Sequence, residues 1–340
     1  MSERVKSFDF VRAVCALGIV ANHFAAYSSS DVLKRYLYTF PNGHGSFGYT
    51  IVTVFFIISG GLLYLNHKRI DSLQRFYSRR WMAIFPQYYL GSILALIVAS
   101  VLIKGYLVDK HLYQLIFNVI GFDGYLANYY NTWILVGGWF IGAIILCYIA
   151  YPLLLRIQSH DETICTISML VLYIATYHYD MFNQHPFRNV FSCLLSFYMG
   201  MLIFKHNIYD KKFVTMASAI LLIVLYVAPI PVSENLSAHL CGGALFFVLN
   251  TIGRLVMEQP WWCKATTLVA GFSYEVFLIH SLVIQAVLMV LPARGIWTLA
   301  AFSAVMIVTL ICSYGLHVAT KLLLKCCGGL VSGHAGKINA

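Results

Sequence analysis

The segment SFDFVRAVCALGIVANHF, residues 7–24, is apolar enough to enter a bilayer yet carries Asp9, Arg12, Asn22 and His23. Arg12 and His23 stand eleven positions apart, so on a helix they differ by about 20° in azimuth and roughly 16 Å along the axis. They share one face. Asp9 precedes Arg12 by three residues, a spacing at which a carboxylate and a guanidinium can touch. An imidazole titrates near neutral pH and can move a proton, while a guanidinium binds carboxylate or phosphate. Ionisable groups are costly in hydrocarbon, so this stripe should face a bundle interior or a water-filled cavity. The competing reading is an arginine that snorkels to the interface and a histidine satisfied by a nearby carbonyl.

Two further groups have the right chemistry. The segment NHKRIDSLQRFYSRRW, residues 66–81, concentrates Lys68, Arg69, Arg75, Arg79 and Arg80. Arg75 and Arg79 share a helical face. Arg80 does not, which suits it to a role in topology alone. Later, FSYEVFLIH at 272–280 holds Glu275 and His280 inside an apolar run. Five residues apart, they diverge by about 140° around a helix, so at most one of them lines a given site. A buried carboxylate there needs a partner, on substrate or on a neighbouring helix. His280 reads as a packing residue. Tyr129, Tyr130, Trp133 and Trp139 could stack on sugar rings or form an aromatic interface belt, and Trp261 and Trp262 suit a belt.

These residues must be positioned by membrane helices. Of 340 residues, 60% are hydrophobic and only 11% charged, with a mean hydropathy of +0.76, which excludes an ordinary soluble domain. Apolar runs of near-spanning length predict an all-α polytopic bundle of about ten transmembrane helices, at 8–27, 47–65, 83–103, 133–155, 163–179, 190–204, 213–230, 236–253, 268–291 and 296–323. The piece at 111–122 is too short to span and suits an interfacial or re-entrant role. With both termini cytoplasmic, 16 of the 23 Lys and Arg residues fall inside, 6 fall outside and Arg12 lies within the first span. That asymmetry accounts for the net charge of +10 without a nucleic-acid partner. Asp9 and Arg12 interrupt the start of the first apolar run, which favours a retained helix over a cleaved signal peptide. Nine cysteines are scattered without CxxC or CxxH spacing, so neither a disulfide framework nor a metal site is expected. The chain reads as one membrane domain, 1–325, with a short cytoplasmic tail, 326–340.

Five motifs follow one another in order. They are Asp9-x-x-Arg12 with the ten-residue spacer to His23, Phe55-Phe56-x-x-Ser59-Gly60, the Arg-rich RFYSRRWMAIFPQYYL with Pro86 and Tyr89, WFIGAIILCYIAYPLL at 139–154, and Ser273-Tyr274 followed by His280. In these the sequence resembles the acyltransferase-3 membrane proteins, over most of its length. There are two departures. Many relatives carry Ser-Gly-Phe where this chain has Ser59-Gly60-Gly61, which is expected to loosen packing. One branch carries an acid where this chain has Ile144, so no catalytic role transfers to that position.

The resemblance implies transfer of an acyl group, usually acetyl, from cytoplasmic acyl-CoA to a hydroxyl of an envelope carbohydrate or its lipid-linked precursor. A bacterial inner membrane is the expected setting. Under this reading His23 is the general base, Arg12 with Asp9 serves the donor end, and Arg75, Arg79 and Arg80 hold the CoA phosphates. Glu275 then orients an imidazole or binds substrate hydroxyls. Direct transfer and a covalent acyl-histidine both remain open. The rival class is a secondary transporter or lipid-linked-sugar flippase with Asp9, Arg12, His23 and Glu275 as a proton relay or substrate site, although no inverted repeat is evident.

Overall fold

A computed structural model describes residues 6–102, 110–129, 132–133, 136–178, 183–295 and 297–335. These form α1 (Lys6–Tyr27), α2 (Phe47–Asn66), α3 (Leu73–Leu102), α4 (Gly138–His160), α5 (Glu162–His178) and α6 (Val190–Lys205). They continue with α7 (Lys212–Val227), α8 (Glu234–Val256), α9 (Pro260–Gly271), α10 (Ser273–Val290) and α11 (Trp297–Ala335). No strand occurs among the described residues, as expected for an all-α chain. Among the described residues seven helices, α1, α2, α3, α4, α8, α10 and α11, are long and apolar enough to cross a membrane. The other three expected spans coincide with α5, α6 and α7, of 16 or 17 residues. Sixteen residues cover only about 24 Å, short of a hydrocarbon core of about 30 Å.

Helix boundaries follow local chemistry. Ser46, Asn189 and Ser233 cap α2, α6 and α8 by accepting from the backbone N–H groups of Tyr49, Phe191 and Leu236. α4 begins at Gly138 and not at 133, because Gly137 and Gly138 take positive φ of 66° and 53°, where residues with a Cβ are strained. α3 starts about ten residues earlier than its apolar run, at Leu73, so Arg75, Arg79 and Arg80 lie on its first turns. The expected span at 268–291 is broken at Phe272, which separates a previously unrecognised α9, begun by Pro260, from α10. The piece near 111–122 contains only the short turns Leu112–Gln114 and Leu115–Val119. The expected tail, 326–340, begins inside α11, which runs on to Ala335.

α1 is enclosed by α2, α8, α9 and α10. That burial draws the Arg12 to His23 stripe into the bundle, and Ser7 Oγ bonding Asn250 Oδ1 at 2.7 Å ties the start of α1 to α8. α2 and α6 approach most closely. A Cβ on Gly60 would collide with the Phe197 carbonyl oxygen, and one on Gly200 with that of Ile57. Small residues at such a junction let two backbones pack in the absence of a hydrophobic driving force. The loosening expected at Gly61 is not found, since the Phe204 ring fills the space its missing side chain leaves.

Candidate active site

A cavity of about 610 Å³ opens at the end of the bundle where α2 finishes and α3 begins. Arg12, His67, Arg79 and Arg80 give it a basic mouth, and Ser59, Tyr148 and Ser273 supply hydroxyls farther in. Arg12 reaches across from α1 to α10, its Nη2 standing 3.4 Å from Ser273 Oγ. The guanidinium of Arg80 lies 5.8 Å from the Tyr148 ring centroid, a cation–π contact. Arg75 is exposed and does not line the cavity, sitting one turn nearer the start of α3. Arg80 lines the cavity although it does not share the Arg79 face, and Arg75, which shares it, does not. The cavity wall is wide enough to take both neighbours Arg79 and Arg80, and Arg75 falls beyond its rim.

His67, just past α2, is a mouth residue that sequence reasoning had not singled out. Burial, and then the charges of Arg80 and Arg79, hold its pKa below the usual imidazole range. Its position is fixed by the buried Tyr151, whose Oη donates to the His67 carbonyl at 2.8 Å. Ile144 lines the cavity as a buried apolar wall.

The inner end of the cavity is apolar. The rings of Phe140 and Phe277 stand 4.5 Å apart, and Phe55 is 6.2 Å from each. Phe277 in turn lies 5.7 Å from His280, and His280 lies 4.9 Å from His23. His280 is buried, as a packing residue would be, and it is the ring that His23 faces. Its Nδ1 lies 3.1 and 2.8 Å from the carbonyl oxygens of Val276 and Phe277. Those oxygens only accept, so Nδ1 donates and the neutral ring keeps its lone pair on Nε2. His23 is half-buried, which leaves it reachable.

Glu275 points elsewhere, as the 140° divergence requires. It is 2% exposed and accepts a hydrogen bond from His317 Nδ1 of α11 at 2.7 Å. Asp9 is buried one turn before Arg12 on α1. Asn22 holds the loop after α1, donating to the Leu37 carbonyl at 2.8 Å.

On the side of the bundle away from the basic mouth, Arg188 lies within electrostatic reach of His23 and 5.8 Å from the Trp139 ring centroid. Tyr49 stacks on Phe187 at 4.2 Å and approaches His185 at 5.3 Å. Burial and Arg188 keep the His185 pKa below its ordinary value, although Glu234 is 3.6 Å away and opposes them. Neither Arg188 nor His185 belonged to a recognisable spacing. Trp133 is buried and donates through Nε1 to the His111 carbonyl at 2.6 Å, so it braces the fold and is no interface belt. Tyr129 is exposed, and Tyr130 lies outside the described residues.

The family profile of acyltransferase-3, described as an acyltransferase domain, matches residues 5–318. This chain belongs to the acyltransferase-3 family. Searches of curated proteins and of solved structures return no match. The acyltransferase-3 match spans nearly every helix above, so the protein is a membrane acyltransferase, and its family motifs meet at one cavity. Arg12, Ser59, Arg79, Arg80 and Ser273 come from four helices, the first three along the chain and α10 nearly two hundred residues later.

Proposed function

We propose that this acyltransferase moves an acyl group, acetyl in the first instance, from acyl-CoA to a hydroxyl of an envelope carbohydrate or its lipid-linked precursor. The observation that carries the proposal is a cavity with three arginines at its mouth and Phe277 at its inner wall, behind which Phe277 contacts His280 and His280 contacts His23. Acyl-CoA is anionic at its nucleotide end and thin at its pantetheine arm, which suits a wide basic opening above a narrow apolar floor. A neighbouring depression of about 490 Å³ carries Lys68, Arg69 and Arg156, further cations for the nucleotide phosphates. The excess of Lys and Arg at this end supports a cytoplasmic mouth, in a bacterial inner membrane crossed ten times with both termini inside.

In the proposed reaction His23 takes the proton from the acceptor hydroxyl as its oxygen attacks the thioester carbonyl. The new C–O bond forms, the C–S bond breaks, and the proton passes from His23 to the departing CoA sulfur. We favour this direct route over an acyl-histidine, which rapid-quench mass spectrometry would detect as a mass increase on His23. Arg12 and Asp9 act at the donor end, three turns from the chemistry. Arg79 and Arg80 bind phosphate, with Arg75 contributing only long-range charge. Glu275, held by His317, supports the α10 framework and binds acceptor hydroxyls only if that pair opens. On the far side, Arg188, Tyr49 and Trp139 offer cationic and aromatic surface near His23 for a sugar ring.

The deciding experiment is consumption of acetyl-CoA by purified protein, together with the mass of envelope glycans from strains with and without the gene. His23-dependent thiol release and loss of one acetyl mass per sugar in the deletion strain support the proposal. Absence of both would remove it.

A further inference from the structure

Along α10, Ser273 touches Arg12, Phe277 follows one turn later, and His280 comes nearly another turn beyond. With a rise of about 1.5 Å per residue, Phe277 stands roughly 6 Å past the Arg12 level and 4–5 Å short of the His280 level. Its ring therefore lies between the basic mouth and the histidine pair. Phe140 of α4 and Phe55 of α2 close on it from two other helices, at centroid distances of 4.5 and 6.2 Å, with 6.2 Å between themselves. All three line the cavity. Phe140 and Phe277 are almost fully buried, at 6% and 7% exposed.

From this we infer that Phe55, Phe140 and Phe277 form an aromatic constriction that selects the acyl group by length. The inference rests on the acyl-CoA reading above. The nucleotide end is held at the cationic mouth, so only the acyl end of the donor need enter the ring of phenyl groups to reach His23. Rings at these distances are already in contact, so an entering acyl group must part them, and a longer chain must hold them apart over more of a packed interior than a two-carbon group does. The same layer excludes water from the thioester, which limits wasteful hydrolysis. Hydrophobic constrictions of this kind gate by dewetting in other membrane pathways.

The test uses the full chain, purified, with acetyl-, butyryl- and hexanoyl-CoA as donors and a membrane glycan extract as acceptor. Thiol release is measured for Phe277→Ala and for the milder Phe277→Leu and Phe140→Leu. CoA affinity is measured by calorimetry, and folding by thermal shift. Wild type should favour acetyl over butyryl by about tenfold or more, within the discrimination that hydrophobic pockets reach per methylene. The leucine variants should narrow the ratio to about threefold, and Phe277→Ala should narrow it further, with CoA affinity unchanged because the mouth is intact. Phe277→Trp should abolish transfer from every donor while still binding CoA. Unaltered donor ratios in variants that fold and bind CoA would overturn the selector and leave the acyltransferase reading standing. A wild type that discriminates among no donors would do the same. A wild type that releases thiol from none of them would instead remove the acyl-CoA reading, and the selector with it.

Discussion

His23 of α1 and His280 of α10, 257 residues apart in the chain, face each other with ring centroids 4.9 Å apart. The carbonyl oxygens of Val276 and Phe277 fix the His280 tautomer, so Nε2 carries the lone pair, with Ser281 Oγ 3.3 Å away as its donor. His23→Ala should lower acyl transfer by about 10²–10⁴ while donor affinity is retained, since general-base catalysis acts on the transition state. His280→Phe, which keeps ring contact but loses Nε2, should reduce the maximal rate more than it alters the Michaelis constant. Transfer assays and calorimetry on both variants check this, and near-normal turnover by His23→Ala would remove His23 from the mechanism.

Arg12→Ala should behave differently in kind. It removes the group that bridges α1 to Ser273 at the cavity wall and strips one cation from the mouth. Donor affinity should fall, and so should thermal stability, because a buried Asp9 loses a nearby positive charge. If both variants lost donor binding equally, Arg12 and His23 would be one structural unit.

The mouth geometry separates Arg79 and Arg80 from Arg75, one turn earlier on α3. Reversing the charge at Arg79 or Arg80 should weaken donor binding about tenfold or more, in line with about 1.5–3 kcal/mol for a hydrogen bond to a charged group. Arg75→Glu, outside the cavity, should stay within about threefold by comparison. Saturating donor should restore most of the rate in each case, since a phosphate contact remote from the chemistry is largely uniform binding. Initial rates across a range of donor concentrations give the answer.

Donor binding should be linked to protons through His67. In the free protein burial, Arg80 and Arg79 hold its pKa down. Phosphates that neutralise those arginines would raise it, so the bound state carries more protons and affinity should climb as pH falls from about 7.5 to 5.5. The donor phosphate itself titrates near pH 6, and His67→Gln controls for it. Calorimetry in buffers of different ionisation enthalpy should show proton uptake in wild type that the variant lacks.

A purely structural prediction concerns the α2–α6 junction. Gly60→Val or Gly200→Val must push apart two backbones already in contact, at a cost of about 1–3 kcal/mol or more. Detergent-solubilised protein should unfold at lower temperature in either variant. Gly43→Ala, at a position with open space around it, bears only the strain of its positive φ and should cost less.

Amino-acid order alone determined the membrane class, the helical content and most spans, because twenty apolar residues in a row have few other destinations in water. It also determined that Arg12 and His23 share a face and that Glu275 and His280 do not, since helical azimuth is a matter of counting. The ordered motifs carried the family. Counting stops at the edge of one helix. Whether Arg75 or Arg80 reaches the cavity depended on where α3 begins and how it packs on α10, α11 and α4, which no spacing along a single helix encodes. The His67, Tyr148 and Arg188 contributions were illegible for the same reason, each being an ordinary residue until a partner from a distant helix arrives. His280 acquired meaning only when α1 was enclosed by α8, α9 and α10 and its histidine turned toward α10. In a bilayer, where lipid is as apolar as leucine, such pairings are set by close packing at glycines and by polar contacts between helices. Those interactions are long-range, and tertiary structure alone decides them.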